Sequence, residues 1–204
     1  MDSNAAYKTE LHNAAGRARL TGRVTVIEST MPFAFTHGLL FPRVAISSGL
    51  VTLATERELT AVLAHEAKHV RSRDPLRALI AGLLTAHHFT LPLLGHLRAG
   101  FAVDRELAAD RQAVARCGTS AVAGALLKVS DMPDWAVTAP ISGMGATELF
   151  DARITRLEAG LPPRPAPPAR WRVAVSLAGI AAYAWLLAGS VVLIGATPLS
   201  CMPG

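Results

Sequence analysis

His65, Glu66 and His69 form an H-E-x-x-H run, a pattern suited to metal-assisted hydrolysis. Two histidines four positions apart project from one face of a helix, about one turn apart, so both imidazoles can grip one metal ion. A glutamate beside the first histidine can take a proton from a water activated by that metal. The run therefore points to one zinc ion and to peptide-bond hydrolysis, with His65 and His69 as ligands and Glu66 as general base. The plain alternative is a surface helix whose spacing is accidental.

Catalytic zinc usually takes three protein ligands and keeps a fourth position for water. The third ligand is expected on another element, and Glu106 in Asp104-Arg105-Glu106-Leu107-Ala108-Ala109-Asp110 is the best candidate. Glu106 and Asp110 are four apart and share a helix face. Glu106 is expected to ligate, and Asp110 to orient a ligating histidine through its free ring N–H. Away from the motif, the same pair would read as a solvated helix face. Asp74 reads as a helix-stop residue with local hydrogen bonds. Arg153 and His37 are candidates to assist the substrate or an oxyanion, although Arg153 reads equally well as an ion-pair residue. Tyr7 in the polar N-terminus and Tyr183 in an apolar span are poorly placed to help.

The elements that must position these groups are partly legible. Thr55 and Glu58 form a capping box that starts the motif helix. Leu59, Val62, Leu63 and Val70 then make an apolar stripe at helical spacing, which turns the flanking His65 and His69 inward. Asp74-Pro75 is expected to stop the helix. Strands are expected at Arg23–Glu28 and Arg43–Ser47, with Ser48-Gly49 as a turn or strand end. The Arg43–Ser47 strand could take an extended substrate as an added edge strand. A helix over 103–116 should end at Gly118.

Bulk composition adds a membrane. The chain has 204 residues, 51% of them hydrophobic and only 17% charged, with a mean hydropathy of +0.34, against about a quarter charged in ordinary globular domains. Residues 173–196 carry no charge; as a helix they would extend about 36 Å, enough to cross a hydrocarbon core of about 30 Å. Arg164, Arg170 and Arg172 precede the span, which by the positive-inside rule puts the catalytic part in the cytoplasm and the C-terminus outside the cell membrane. Residues 160–172 contain five prolines and read as a semi-rigid linker. A second uncharged run, 78–97, is either a helical hairpin dipping into the bilayer or a buried helix pair. His87 and His88 within it read as polar residues of a tight apolar hairpin rather than as ligands.

The net charge of +5 and pI near 9.9 fit a basic face towards anionic lipid. Scattered Lys and Arg, 5% aromatics and no recognition pattern exclude nucleic acid as the expected partner. Cys117 and Cys201 match no zinc or redox spacing, so no disulfide framework is expected, and Cys117 reads as a small buried hydrophobe. The polar N-terminus has no signal-like core.

With these residues in place the chain resembles the membrane-embedded zinc peptidases of the BlaR/MecR antirepressor-sensor type, relatives of HtpX-like and CAAX-prenyl proteases. The resemblance runs through Pro32-Phe33-Ala34-Phe35, Ser48-Gly49-Leu50, Glu58 to His69, Arg71-Ser72-Arg73-Asp74-Pro75-Leu76 and the Glu106/Asp110 pair, covering roughly 24–116, with Arg153-Ile154-Thr155-Arg156-Leu157 beyond. It implies an α+β, mainly helical, zincin-like (gluzincin) catalytic domain with a small sheet. Within it, His65, His69 and Glu106 would hold zinc and Glu66 would act as base. Two departures stand out: the catalytic region comes almost directly at the start, and no penicillin-binding sensor domain follows the last helix, so a β-lactam receptor role is not expected.

The expected organisation is a polar segment 1–22, a metallopeptidase domain 23–159, the linker 160–172, a transmembrane helix 173–196 and a tail 197–204. The expected activity is membrane-bound zinc endopeptidase action on protein or peptide substrates, in regulatory or quality-control proteolysis. The competing class is a membrane signalling or scaffold protein that binds zinc without proteolysis.

Overall fold

A computed structural model of the chain describes residues 3–88, 91–130, 146–159 and 167–196. In chain order these form α1 (Ser3–Ala18), β1 (Val24–Ile27), β2 (Ala34–His37), β3 (Arg43–Ser47), α2 (Ser48–Leu53), α3 (Glu56–Ser72), α4 (Asp74–His87), α5 (Pro92–Cys117), α6 (Thr119–Ser130), α7 (Ala146–Ala159) and α8 (Arg170–Ala196). The fold is mainly helical with one small three-stranded sheet, as expected. Most of the linker expected at 160–172, the tail 197–204 with Cys201, and 131–145 lie outside the described residues.

The motif helix α3 is the hub, because its stripe and its small residues face different neighbours. Leu59, Val62, Leu63, Ala67 and Val70 join Val44, Ile46 and Leu50 in one apolar core. Ala61 and Ala64 instead pack with Ala113, Cys117, Ala121 and Val122 of α5 and α6, and such small side chains let helix axes approach closely. The capping box forms as predicted: the Thr55 hydroxyl accepts from Glu58 N–H, and the Glu58 carboxylate accepts from Thr55 N–H at 2.7 Å. Residues 1–22 are polar in composition, yet α1 and its following turn lend Leu11, Ala14, Ala15, Ala18 and Leu20 to the same core.

The sheet order is β1-β3-β2, with β3 parallel to β1 and antiparallel to β2. The Arg43–Ser47 strand is therefore central and paired on both sides, so it cannot accept a substrate strand; β2 and β1 are the edges. Four of the five β3 residues are buried, as a strand covered on both faces requires. Ser48-Gly49 is no turn but opens the short helix α2, capped by the Ser47 hydroxyl, which accepts from Leu50 N–H. Gly49 is required there, because a Cβ would stand 2.3 Å from the Thr30 carbonyl oxygen.

The break after α3 falls at Arg73, whose φ of 50° and ψ of 46° are left-handed, and not at Asp74. Asp74 is already the first residue of α4, with Pro75 in its first turn, where a missing N–H costs nothing. The run 78–97 forms the end of α4 and the start of α5, with 89–90 outside the described residues; among the described residues from 75 to 106 each is half-buried or exposed. The helix expected at 103–116 is the second half of α5, which ends at Gly118 with φ 84°. Cys117 is buried as expected. Helix α8 contains an apolar stretch, Arg170–Val191, long enough to cross a membrane, and that stretch is almost wholly exposed.

Candidate metal centre

The ring Nε2 atoms of His65 and His69 face each other at 3.1 Å on α3. Glu106 enters from α5, with Oε2 3.3 Å from His65 Nε2 and Oε1 3.6 Å from His69 Nε2. These three donors lie within 4.8 Å of one another and could hold one metal ion. The approach of α5 is fixed by the alanine packing and by Gln112, whose side-chain amide donates to the Ala64 carbonyl at 2.8 Å.

Both imidazoles are oriented from behind. Asp110 Oδ1 lies 2.9 Å from His65 Nδ1, the contact that the expected role requires. Asp74 Oδ2 lies 2.6 Å from His69 Nδ1, a local hydrogen bond as expected of it, to a partner the sequence reading did not name. With each Nδ1–H donated to a carboxylate, both Nε2 lone pairs point into the same space as Glu106. Three electron-rich donors converging on one space can share a cation, so the donor set fits a metal ion.

The electrostatics express the same need. Burial disfavours charged imidazoles, but the bonds to Asp110 and Glu106 outweigh it and raise the His65 pKa. For His69 burial is likewise outweighed by Asp74 and Glu106, and the value is pushed up to about 10. Burial alone would raise the Glu106 carboxyl, yet His65 and His69 hold it well below the usual carboxylate range. Asp110 is brought down to about 2, because His65 and Arg153 together overcome its desolvation.

Arg153 of α7 grips Asp110 with two parallel bonds, Nε to Oδ2 and Nη2 to Oδ1, both 2.8 Å. Of the two readings given to it, ion pairing is the contact it makes, and bidentate pairing is the strong geometry for this pair. His37, at the end of β2, lies against the Phe35 ring and is exposed; no contact ties it to the three donors. His87 and His88 pack against each other at the α4–α5 turn.

Three groups escaped the sequence reading. Besides Asp74, Thr36 of β2 donates its hydroxyl to Glu66 Oε2 at 2.6 Å, fixing a carboxylate that is itself buried. Arg105 spans Asp74 and Glu106, with Nε 3.6 Å from Asp74 Oδ2 and Nη2 3.8 Å from Glu106 Oε1. Asp74 had a usable signal, since a carboxylate just past an H-E-x-x-H helix is close to its second histidine whenever the helix ends there. Thr36 and Arg105 had none, because only tertiary packing brings them in.

An H-E-x-x-H helix joined by a glutamate from a second helix defines a metallopeptidase-type domain. The chain belongs to peptidase family M48, whose family model matches residues 4–131. It is 40% identical over 79 residues to the protease HtpX homologues of Ralstonia nicotianae and Ralstonia pickettii, covering 35% of this chain and 28% of each relative. It is 41% identical over 64 residues to that of Desulforapulum autotrophicum, covering 30% of this chain and 21% of the relative. The matched part thus spans between 21% and 28% of those relatives. These matches fall on the HtpX side of the resemblance drawn above and do not extend to its BlaR/MecR type. No solved structure matches the chain.

Proposed function

We propose that this chain is a membrane-bound zinc endopeptidase, and the observation that carries the reading is Glu66 held beside the His65, His69 and Glu106 donors. Two imidazole nitrogens and one carboxylate oxygen are a donor set typical of catalytic zinc, whereas a closed structural site would supply a fourth protein ligand. When bound, zinc lowers the pKa of a water towards about 7 and polarises a carbonyl. Glu66 is the residue that would accept a proton from water and return it to the leaving amine. Thr36 keeps the Glu66 carboxylate pointed for this exchange. Asp74 and Asp110 hold the imidazoles in the tautomer that leaves Nε2 free, and Arg153 acts through Asp110 rather than on the substrate.

An extended substrate would pair with the outer edge of β2, the strand that carries Thr36, which no other strand among the described residues covers. The membrane reading rests on α8, with Arg170 and Arg172 at its start favouring a cytoplasmic catalytic domain. The peptidase domain proposed takes in α1, which packs into the same core and lies, from residue 4, within the matched family region, so it runs over 3–159 rather than 23–159, followed by 160–172 as linker and 173–196 as span. Regulatory or quality-control cleavage of proteins near the membrane suits this arrangement. A zinc-binding scaffold without proteolysis is the competing reading, and Glu66 argues against it because a scaffold needs no base. The test is metal removal: a chelator should abolish cleavage of a general protein substrate and zinc should restore it, while cleavage that survives chelation would refute the proposal.

A further inference from the structure

We propose that the outer face of β2, with Phe33, Phe35 and His37, is the specificity surface of the peptidase site. It selects extended substrate segments that carry apolar side chains at every second position. The inference rests on the reading of the chain as a peptidase that pairs its substrate with the edge of β2.

Successive side chains of a strand point to opposite faces, and β2 uses its two faces differently. Ala34 and Thr36 are half-buried: Ala34 packs on the apolar core, and Thr36 bonds Glu66 Oε2 at 2.6 Å. Phe35 and His37 alternate with them on the other face and are exposed, Phe35 to 40%. Phe33, just before the strand, continues their row. Ring centroids lie 5.8 Å apart from Phe33 to Phe35 and 6.0 Å apart from Phe35 to His37.

A chain added beyond β2 shares these two faces residue by residue. Same-face residues of a strand recur about every 6.6 Å, close to the spacing of the three rings. Substrate side chains two apart would therefore each lie beside one ring. The residues between them would point to the inner side, where Thr36 holds Glu66. Proton transfer and sequence selection thus fall on opposite faces of one strand. The row favours apolar and above all aromatic partners, because aromatic pairs across neighbouring strands attract beyond their area burial. It offers nothing to a basic side chain. Residues 29–55 include no Asp or Glu, and their one formally charged side chain is Arg43, which stands opposite His37 in the β2–β3 register.

The test is a position scan with the zinc-loaded full chain in detergent. Phenylalanine, serine or lysine is placed one position at a time along a quenched carrier peptide of serine, threonine and glycine. Mass spectrometry locates the bond cut, and positions are counted from it. Phenylalanine should raise kcat/KM over serine by about 3- to 10-fold at alternate positions only, and lysine at those positions should lower it. Phe35→Ser should bring the phenylalanine-to-serine ratio at the position beside it close to one, whereas Phe35→Leu should keep most of it. Rates without the two-residue alternation, or a ratio that survives in Phe35→Ser, would overturn the specificity surface and leave the peptidase standing. Failure of the zinc-loaded wild type to cut any of the peptides would overturn the peptidase reading, and this inference with it.

Discussion

Asp74 Oδ2 and His69 Nδ1 lie 2.6 Å apart although they belong to different helices. The left-handed Arg73 makes this so: one residue at φ 50° ends α3 and starts α4, folding the Asp74 carboxylate back beneath the last turn of the motif helix. Asp74→Asn should lower zinc affinity by about 10- to 100-fold, the usual effect of losing a carboxylate behind a ligating imidazole. Arg73→Gly should leave affinity unchanged, because glycine adopts the left-handed region without strain. Competition with a chromophoric chelator measures both, and an unaltered affinity in Asp74→Asn would count against the relationship.

Thr36 should matter to turnover and not to metal. Its hydroxyl bonds the carboxylate of Glu66, and a hydrogen bond to a charged group contributes about 1.5–3 kcal/mol, roughly 10- to 100-fold in rate. Thr36→Val keeps the shape and removes the donor. The expected result is a drop of that size in kcat with zinc content equal to wild type. Loss of metal instead would mean that Thr36 supports the fold of the centre.

Acid should strip stability through Asp110. Its carboxyl titrates at about 2 in the folded chain, against an ordinary value of 3.8. The folded value is the lower one, so the contribution is fully present above about pH 4 to 5 and is lost as pH falls through about 2; it amounts to about 2 kcal/mol. Denaturant unfolding of the detergent-solubilised chain across pH 2–6 should show this acid limb. Asp110→Asn should flatten it. The same change leaves the half-buried Arg153 without its charge partner, which should lower stability at neutral pH as well.

What was legible in the sequence was whatever local chemistry dictates. Thr55 and Glu58 announce the start of α3, the 3.6-residue stripe announces its buried face, and Glu106 with Asp110 announces a second helix face with matching donors. The strand at Arg43–Ser47 was legible as a strand but not as a central one; the run Val44-Ala45-Ile46 without a polar residue was the available sign that both faces are covered. Helix α1 was obscured because its core contribution is largely alanine, Ala14, Ala15 and Ala18, which carries little hydrophobic signal. The links of Thr36 to Glu66 and of Arg105 to Asp74 were invisible, since these pairs lie 30 and 31 residues apart along the chain and only packing selects them.

The most direct test is the turnover of a quenched peptide substrate by Glu66→Gln beside wild type, with each protein carrying one equivalent of zinc. The amide side chain can neither accept nor return the proton, so the rate should fall by about 100-fold or more while zinc content is unchanged. Equal rates at equal zinc would contradict the assignment of Glu66 as the base, and with it the reading of this chain as a zinc peptidase.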